Sequence, residues 1–154
     1  MLTEEMKAQR LDDAIAVMQR VVDNDWYFDM SDFYSYYGGH EHYPPYGSNS
    51  APLDGFCGTS ACFVGYIAAS PEFTKNGWYV NGGMPLLISC KDTDQSSAVA
   101  QYFGWSKSFS ELLCWLQCKE FNELYDTSSP YDISPEMVLN VLLEIKAGNL
   151  DPTE

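Results

Sequence analysis

The chain has 154 residues, 45% of them hydrophobic and 19% charged. That is the size and composition of one globular domain, so a disordered chain is excluded, and no apolar run approaches the ~20 residues of a membrane-spanning helix. With 22 acidic against 8 basic residues the net charge is −14, which disfavours nucleic acid and anionic membrane as direct partners and suits a basic one.

The N-terminal residues Met1-Leu2-Thr3-Glu4-Glu5-Met6 are acidic and lack the apolar stretch of a secretory signal. A cytoplasmic location is therefore expected, that of a host cell if the chain is phage-encoded. Five cysteines (Cys57, Cys62, Cys90, Cys114 and Cys118) make an odd number. They read as reduced thiols that pack as small hydrophobes.

Residues 3–22 predict an amphipathic helix. Leu11, Ala14, Ile15, Met18, Val21 and Val22 recur at helical spacing, and Asp23-Asn24-Asp25 is the expected stop. Residues 26–56 have no clean period and read as an irregular aromatic and acidic loop. Trp26, Tyr27, Phe28, Phe33, Tyr34, Tyr36, Tyr37, Tyr43 and Tyr46 alternate with Asp29, Asp32 and Glu41, and Gly38-Gly39, Pro44-Pro45 and Gly47-Ser48-Asn49-Ser50 impose turns. A long irregular segment inside a small domain is uncommon and is more often functional or mobile.

Cys57-Gly58-Thr59-Ser60-Ala61-Cys62 is expected to open a short helix running to Ala69, capped by Thr59 or Ser60. That helix is apolar on almost every side, which predicts burial at the centre of the domain. Residues 77–80 and 86–88 predict two strands of a hairpin around Asn81-Gly82-Gly83. Asp94 or Ser96 caps a helix that Gly104 stops. Ser108-Phe109-Ser110-Glu111 reads as a capping box opening a further helix with Leu112, Leu113, Trp115 and Leu116. Ser134-Pro135-Glu136 starts a last helix with Met137, Val138, Val141, Leu142 and Ile145 on its apolar face, ended by Gly148. The expected fold is mainly α, of the α+β class: a single domain over 1–154, with four or five helices packed around the buried short helix, one small β-hairpin, and a flexible tail at 149–154.

Phe28-Asp29-Met30, Cys57-Gly58-Thr59-Ser60-Ala61-Cys62-Phe63-Val64-Gly65, Tyr102-Phe103-Gly104-Trp105, Leu124-Tyr125 and Ser134-Pro135-Glu136 occur in this order. The series resembles a diffuse group of small bacteriophage and bacterial proteins that carry F-D-M, then C-G-T-x-x-C-x-x-G, a phenylalanine-glycine-leucine stop, a leucine-phenylalanine pair and a T-P-E helix start. The likeness spans about residues 26–147. Trp105, Tyr125 and Ser134 depart from the pattern in residue but keep its physical roles. The resemblance implies a phage or mobile-element origin and no particular chemistry. By analogy, accessory phage proteins of this size often bind and disable host proteins.

Several constellations compete for the function. Cys57 and Cys62 with His40 and His42 offer thiolate and imidazole, the ligands of a zinc site or a thiol-dependent module. Against this, the cysteine gap is long, no C-x-x-C motif is present, and core packing explains the sulfurs as well. Cys114 and Cys118 lie one turn apart, which core packing also explains. Gly58-Thr59-Ser60 resembles an anion loop superficially but has no P-loop pattern and no lysine nearby. The aromatic and acidic stretch is the most distinctive feature. Tyrosine and tryptophan are enriched at interfaces, and acids beside aromatic faces suit arginine or lysine of a partner. The competing reading packs Trp26, Phe28 and Phe33 into the core with wet tyrosines around them. An acidic face that imitates the phosphates of DNA is a sharper variant of the interface reading. The expectation is a non-enzymatic binding protein with no cofactor, whose partner is a host protein with a basic or mixed surface. Trp26, Tyr27, Asp29, Asp32, Tyr34, Tyr36, Tyr37 and Tyr43 would form the contact.

Overall fold

Helices form almost all of the framework, with two very small sheets inserted between them. A computed structural model describes residues 1–28, 34–36, 46–49, 59–81, 84–91, 94–114 and 133–154, with only the backbone described at 34–36, 59–61, 112 and 114. The described elements are α1 (Glu4–Asp23), β1 (Tyr34–Tyr36), β2 (Thr59–Ala61), α2 (Phe63–Ala69), α3 (Pro71–Thr74), β3 (Trp78–Asn81), β4 (Met84–Leu87), α4 (Gln95–Phe103), α5 (Lys107–Cys114) and α6 (Pro135–Lys146). The mainly α, α+β expectation holds.

Helix α1 starts where Thr3 accepts the Met6 N–H at 3.1 Å, and Glu4 and Glu5 in its first turn complement the positive end of the helix dipole. It ends at Asn24, and Asp25 then turns the chain with a φ of +52°. Its buried stripe is Ala14, Val17, Met18 and Val21, facing α6 and α2. Helix α6 begins as expected: the Ser134 hydroxyl accepts the Met137 N–H at 3.2 Å and Pro135 occupies the first turn. Its buried side, Val138, Leu139, Val141 and Leu142, packs on α1.

The centre of the domain is α2. All seven of its residues are buried, with Phe63, Val64, Tyr66, Ile67 and Ala68 fully so. A helix buried on every side cannot have a polar face, which is why Phe63-Val64-Gly65-Tyr66-Ile67-Ala68-Ala69 contains no charged residue. Removing side chains such as Phe63 and Ile67 from water stabilises the fold by roughly 1.5–3 kcal/mol each. Ser70-Pro71 ends α2 and starts the single turn of α3.

The start of α2 differs from expectation. Residues 59–61 are strand, not helix, and Cys62 rather than Thr59 or Ser60 sits at the N-cap, with no side-chain capping bond. The reason is tertiary. β2 pairs antiparallel with β1, matching Tyr34 with Ala61, Ser35 with Ser60 and Tyr36 with Thr59. Ladder hydrogen bonds to a distant segment override a local capping preference, so a strand pair stands where a helical turn was expected. The second sheet is the expected hairpin: β3 pairs antiparallel with β4, with Trp78 opposite Leu87 and Tyr79 opposite Leu86.

Asp94 caps α4, accepting the Ser96 N–H at 3.1 Å, and Gly104 ends it in the left-handed conformation at a φ of +74°. A Cβ there would also press against Lys7 and Leu2 at the root of α1. The cap of α5 lies two residues earlier than expected. Ser106, not Ser108, accepts the Phe109 N–H at 3.0 Å, and the helix starts at Lys107. Trp105 stacks on Phe103 with ring centroids 4.3 Å apart and meets the edge of Phe109. Residues 149–154, expected as a flexible tail, form a turn against the start of α5. The Ser106 N–H donates to the Pro152 carbonyl at 2.9 Å, and Leu150 is half-buried on the core.

Candidate functional site

The two ends of the aromatic and acidic segment are bonded to each other, and the first of them is fastened to α2. Where α1 ends, residues 25–28 run beside residues 46–49. The Tyr27 N–H donates to the Asn49 carbonyl at 2.8 Å and the Phe28 N–H to the Tyr46 carbonyl at 2.9 Å. The Asp25 carbonyl accepts the N–H groups of both Ser48 and Asn49. The Asn49 side chain donates to the Asn24 carbonyl at 2.9 Å. These bonds close a neck between residues 24–28 and 46–49.

Gly47 makes the neck possible. Its φ is +92°, and a Cβ would overlap the backbone of Trp26 and Tyr27. Only glycine meets both conditions at modest cost.

Tyr66 of α2 holds the neck from below. Trp26 stacks near one side of its ring at 6.1 Å and 15°, and Phe28 at 6.3 Å and 10°. The Tyr66 hydroxyl donates to the Tyr27 carbonyl. A buried phenol needs a hydrogen-bond partner, and here the bond sets the height of the neck above α2. A second fastening is β1 on β2, since β2 leads through Cys62 directly into α2.

The expected contact residues divide accordingly. Phe28, which only the competing core-packing reading named, is fully buried. Trp26 and Tyr27 are half-buried at the neck, Trp26 packing on the core by its ring. Tyr34 and Tyr36 lie in β1, where the backbone alone is described. Asp29, Asp32, Tyr37 and Tyr43 fall outside the described residues. So do His40, His42 and Cys57 of the zinc or thiol alternative, whose fourth member, Cys62, is 1% exposed. Among the described residues no group of three or more His, Cys, Asp or Glu side chains could hold a metal ion, and no helix is long and apolar enough to cross a membrane.

A groove lies along α1. Met6, Gln9, Arg10 and Asp13, spaced as one helix face, combine with Lys75 and Asn76 after α3 to line a groove of about 290 Å³. Its wall is fixed by Tyr102 of α4. Arg10 lies over that ring at 4.0 Å and donates to the Tyr102 carbonyl at 2.7 Å. Asn76 donates to the Tyr102 hydroxyl at 3.0 Å. Burial pushes the Tyr102 phenol above its ordinary pKa. Asn76 and the Arg10 charge oppose that rise, and the Asp13 charge adds to it.

Sequence reasoning missed Tyr66, Gly47 and this groove. Gly47 left a trace, as the one glycine between Tyr46 and the polar Ser48-Asn49 pair. Tyr66, one tyrosine inside an apolar helix, carried no sign of its distant partner. Comparison of the chain with known protein families, with curated proteins and with solved structures returns no match.

Proposed function

We propose that this chain is a non-enzymatic binding protein of the phage accessory type. Its partner is a host protein with a basic or mixed surface, and residues 26–46 make the contact, with acidic α1 beside them. The finer version of this reading is inhibition of a nucleic-acid-handling or defence protein by an acidic, DNA-like face. The phage assignment rests on the ordered series of motifs from Phe28 to Glu136.

One observation supports the contact reading above the others: the aromatic and acidic segment departs from a neck that α2, all seven of whose residues are buried, holds in place. Tyr66 fixes Trp26, Tyr27 and Phe28 together. The loop ends are already closed in the folded chain, so that part of the ordering cost of binding is met before a partner arrives. Between the ends the sequence carries tyrosine and aspartate, suited to arginine and lysine on another surface.

The test is retention of host proteins by the immobilised chain at low and high salt, beside a double variant, Asp29→Asn with Tyr36→Ala. The expected result is one protein held at low salt by the wild type alone. That protein, once identified and purified, should bind at least about tenfold more weakly to the variant. Equal retention by both chains, or no retention at low salt, would overturn the reading.

A further inference from the structure

The groove between α1 and the turn after α3 presents charges that do not neutralise one another. Four ion pairs are formed among the described residues: Lys7 with Glu4, Arg20 with Glu72, Lys107 with Asp94 and Lys146 with Asp12. Arg10, Lys75 and Asp13 have no ion-pair partner among the described residues, and all three line one groove. Arg10 and Asp13 are three residues apart on a helix, close enough to pair. They are held apart instead. Arg10 is drawn onto the Tyr102 ring and carbonyl, and Asp13 accepts a hydrogen bond from Gln9 at 3.1 Å.

Each holding contact is itself supported. The Tyr102 side chain is 3% exposed, and its hydroxyl is bonded to Asn76. Arg10 commits one terminal nitrogen to the Tyr102 carbonyl, which leaves its other N–H donors available among the described residues. The groove is therefore lined by a guanidinium, an ammonium and a carboxylate that form no ion pair, with Met6 also in its lining.

We propose that this groove binds a small zwitterion of the short-peptide class, its carboxylate on Arg10 and Lys75 and its ammonium on Asp13. The net charge of −14 decides against a simple anion, which the whole protein repels, whereas a ligand with separated charges and no net charge meets no such barrier. The site uses none of residues 26–46, although it shares α1 with the protein-binding reading.

The test uses the full chain, isotope-labelled, with glycylglycine as probe and acetate and ethylammonium as half-ligands at constant ionic strength. Saturable shifts are expected at the side-chain amides of Gln9 and Asn76 and at Arg10 Nε–H. Glycylglycine should bind at least about tenfold more tightly than acetate. Lys75 is exposed and Asp13 half-buried, and Lys75→Gln and Asp13→Asn, both close in size to the residues they replace, should each weaken glycylglycine binding at least about fivefold. No saturable shift with glycylglycine would overturn the proposal. So would acetate binding as tightly as glycylglycine, or binding that both variants leave unchanged.

Discussion

The Tyr66 hydroxyl donates to the carbonyl oxygen of Tyr27, 39 residues earlier in the chain. This bond joins the central helix to the root of the aromatic segment, where the rings of Trp26 and Phe28 stack beside the phenol. Tyr66→Phe keeps the packing and deletes the donor, leaving a part-buried carbonyl without its partner. The expected loss is about 1–2 kcal/mol in urea unfolding. Tyr66→Ala also empties the ring position and should cost about 3–5 kcal/mol. If Tyr66→Phe unfolds at the wild-type midpoint, the bond does not hold the neck.

Gly47→Ala tests the close approach beneath the same segment. Two penalties combine there: a φ of +92° and overlap of the new Cβ with the Trp26 backbone. Gly148→Ala supplies the control, because Gly148 has a φ of +80° but nothing within 4 Å of its would-be Cβ. The control should cost about 1–2 kcal/mol. Gly47→Ala should cost clearly more and should speed amide exchange at Phe28 and Ser48 while α2 amides keep their protection. Equal costs for the two substitutions would mean that the neck yields without strain.

Legibility in the sequence followed the range of the forces involved. Thr3, Asp94, Gly104 and Ser134 act within a few residues, and the structure puts each of them where local chemistry indicates. The all-apolar composition of residues 63–69 announced their burial just as directly. Thr59 and Ser60 misled because their neighbours favour a helix cap, while the deciding hydrogen bonds come from Tyr34–Tyr36. Ser106 was overlooked because Ser108 begins a better-looking capping box. At the candidate sites the same limit applies. The aromatic and acidic composition of residues 26–46 is plain to read, but Tyr66 and Tyr102 act through partners that only the folded chain brings near.

Asp94 should make a pH-dependent contribution. Burial raises the pKa of its carboxyl, but hydrogen bonds from Ser96, Lys107 and Ser97 outweigh that and hold it below the ordinary 3.8. A group whose folded pKa is depressed adds stability above its unfolded value and loses that stability as pH falls through the folded one. Asp94→Ala should therefore cost about 1 kcal/mol at neutral pH, the usual worth of a helix cap. The gap between variant and wild type should close only at pH below 3.8. Denaturant midpoints for both chains across that range check it, and a gap that persists at the acid end would show that the charge is not what caps α4.

Thiol reactivity separates a packed sulfur from a working one. Cys62 is 1% exposed at the start of α2, whereas Cys90 is half-buried after β4. A thiol reagent needs access to the sulfur, and Cys62 gains access only when α2 leaves the core. Timed labelling of the native chain, mapped by mass spectrometry, should modify Cys90 well before Cys62. Denaturant should bring the two rates together at the global unfolding transition. Metal analysis of untagged protein belongs beside this experiment, because the zinc form of the alternative built on Cys57, Cys62, His40 and His42 requires one zinc ion per chain. Rapid labelling of Cys62 in the folded protein, or zinc bound one to one, would remove the ground for treating that sulfur as core and would move the function from the aromatic segment to the cysteines.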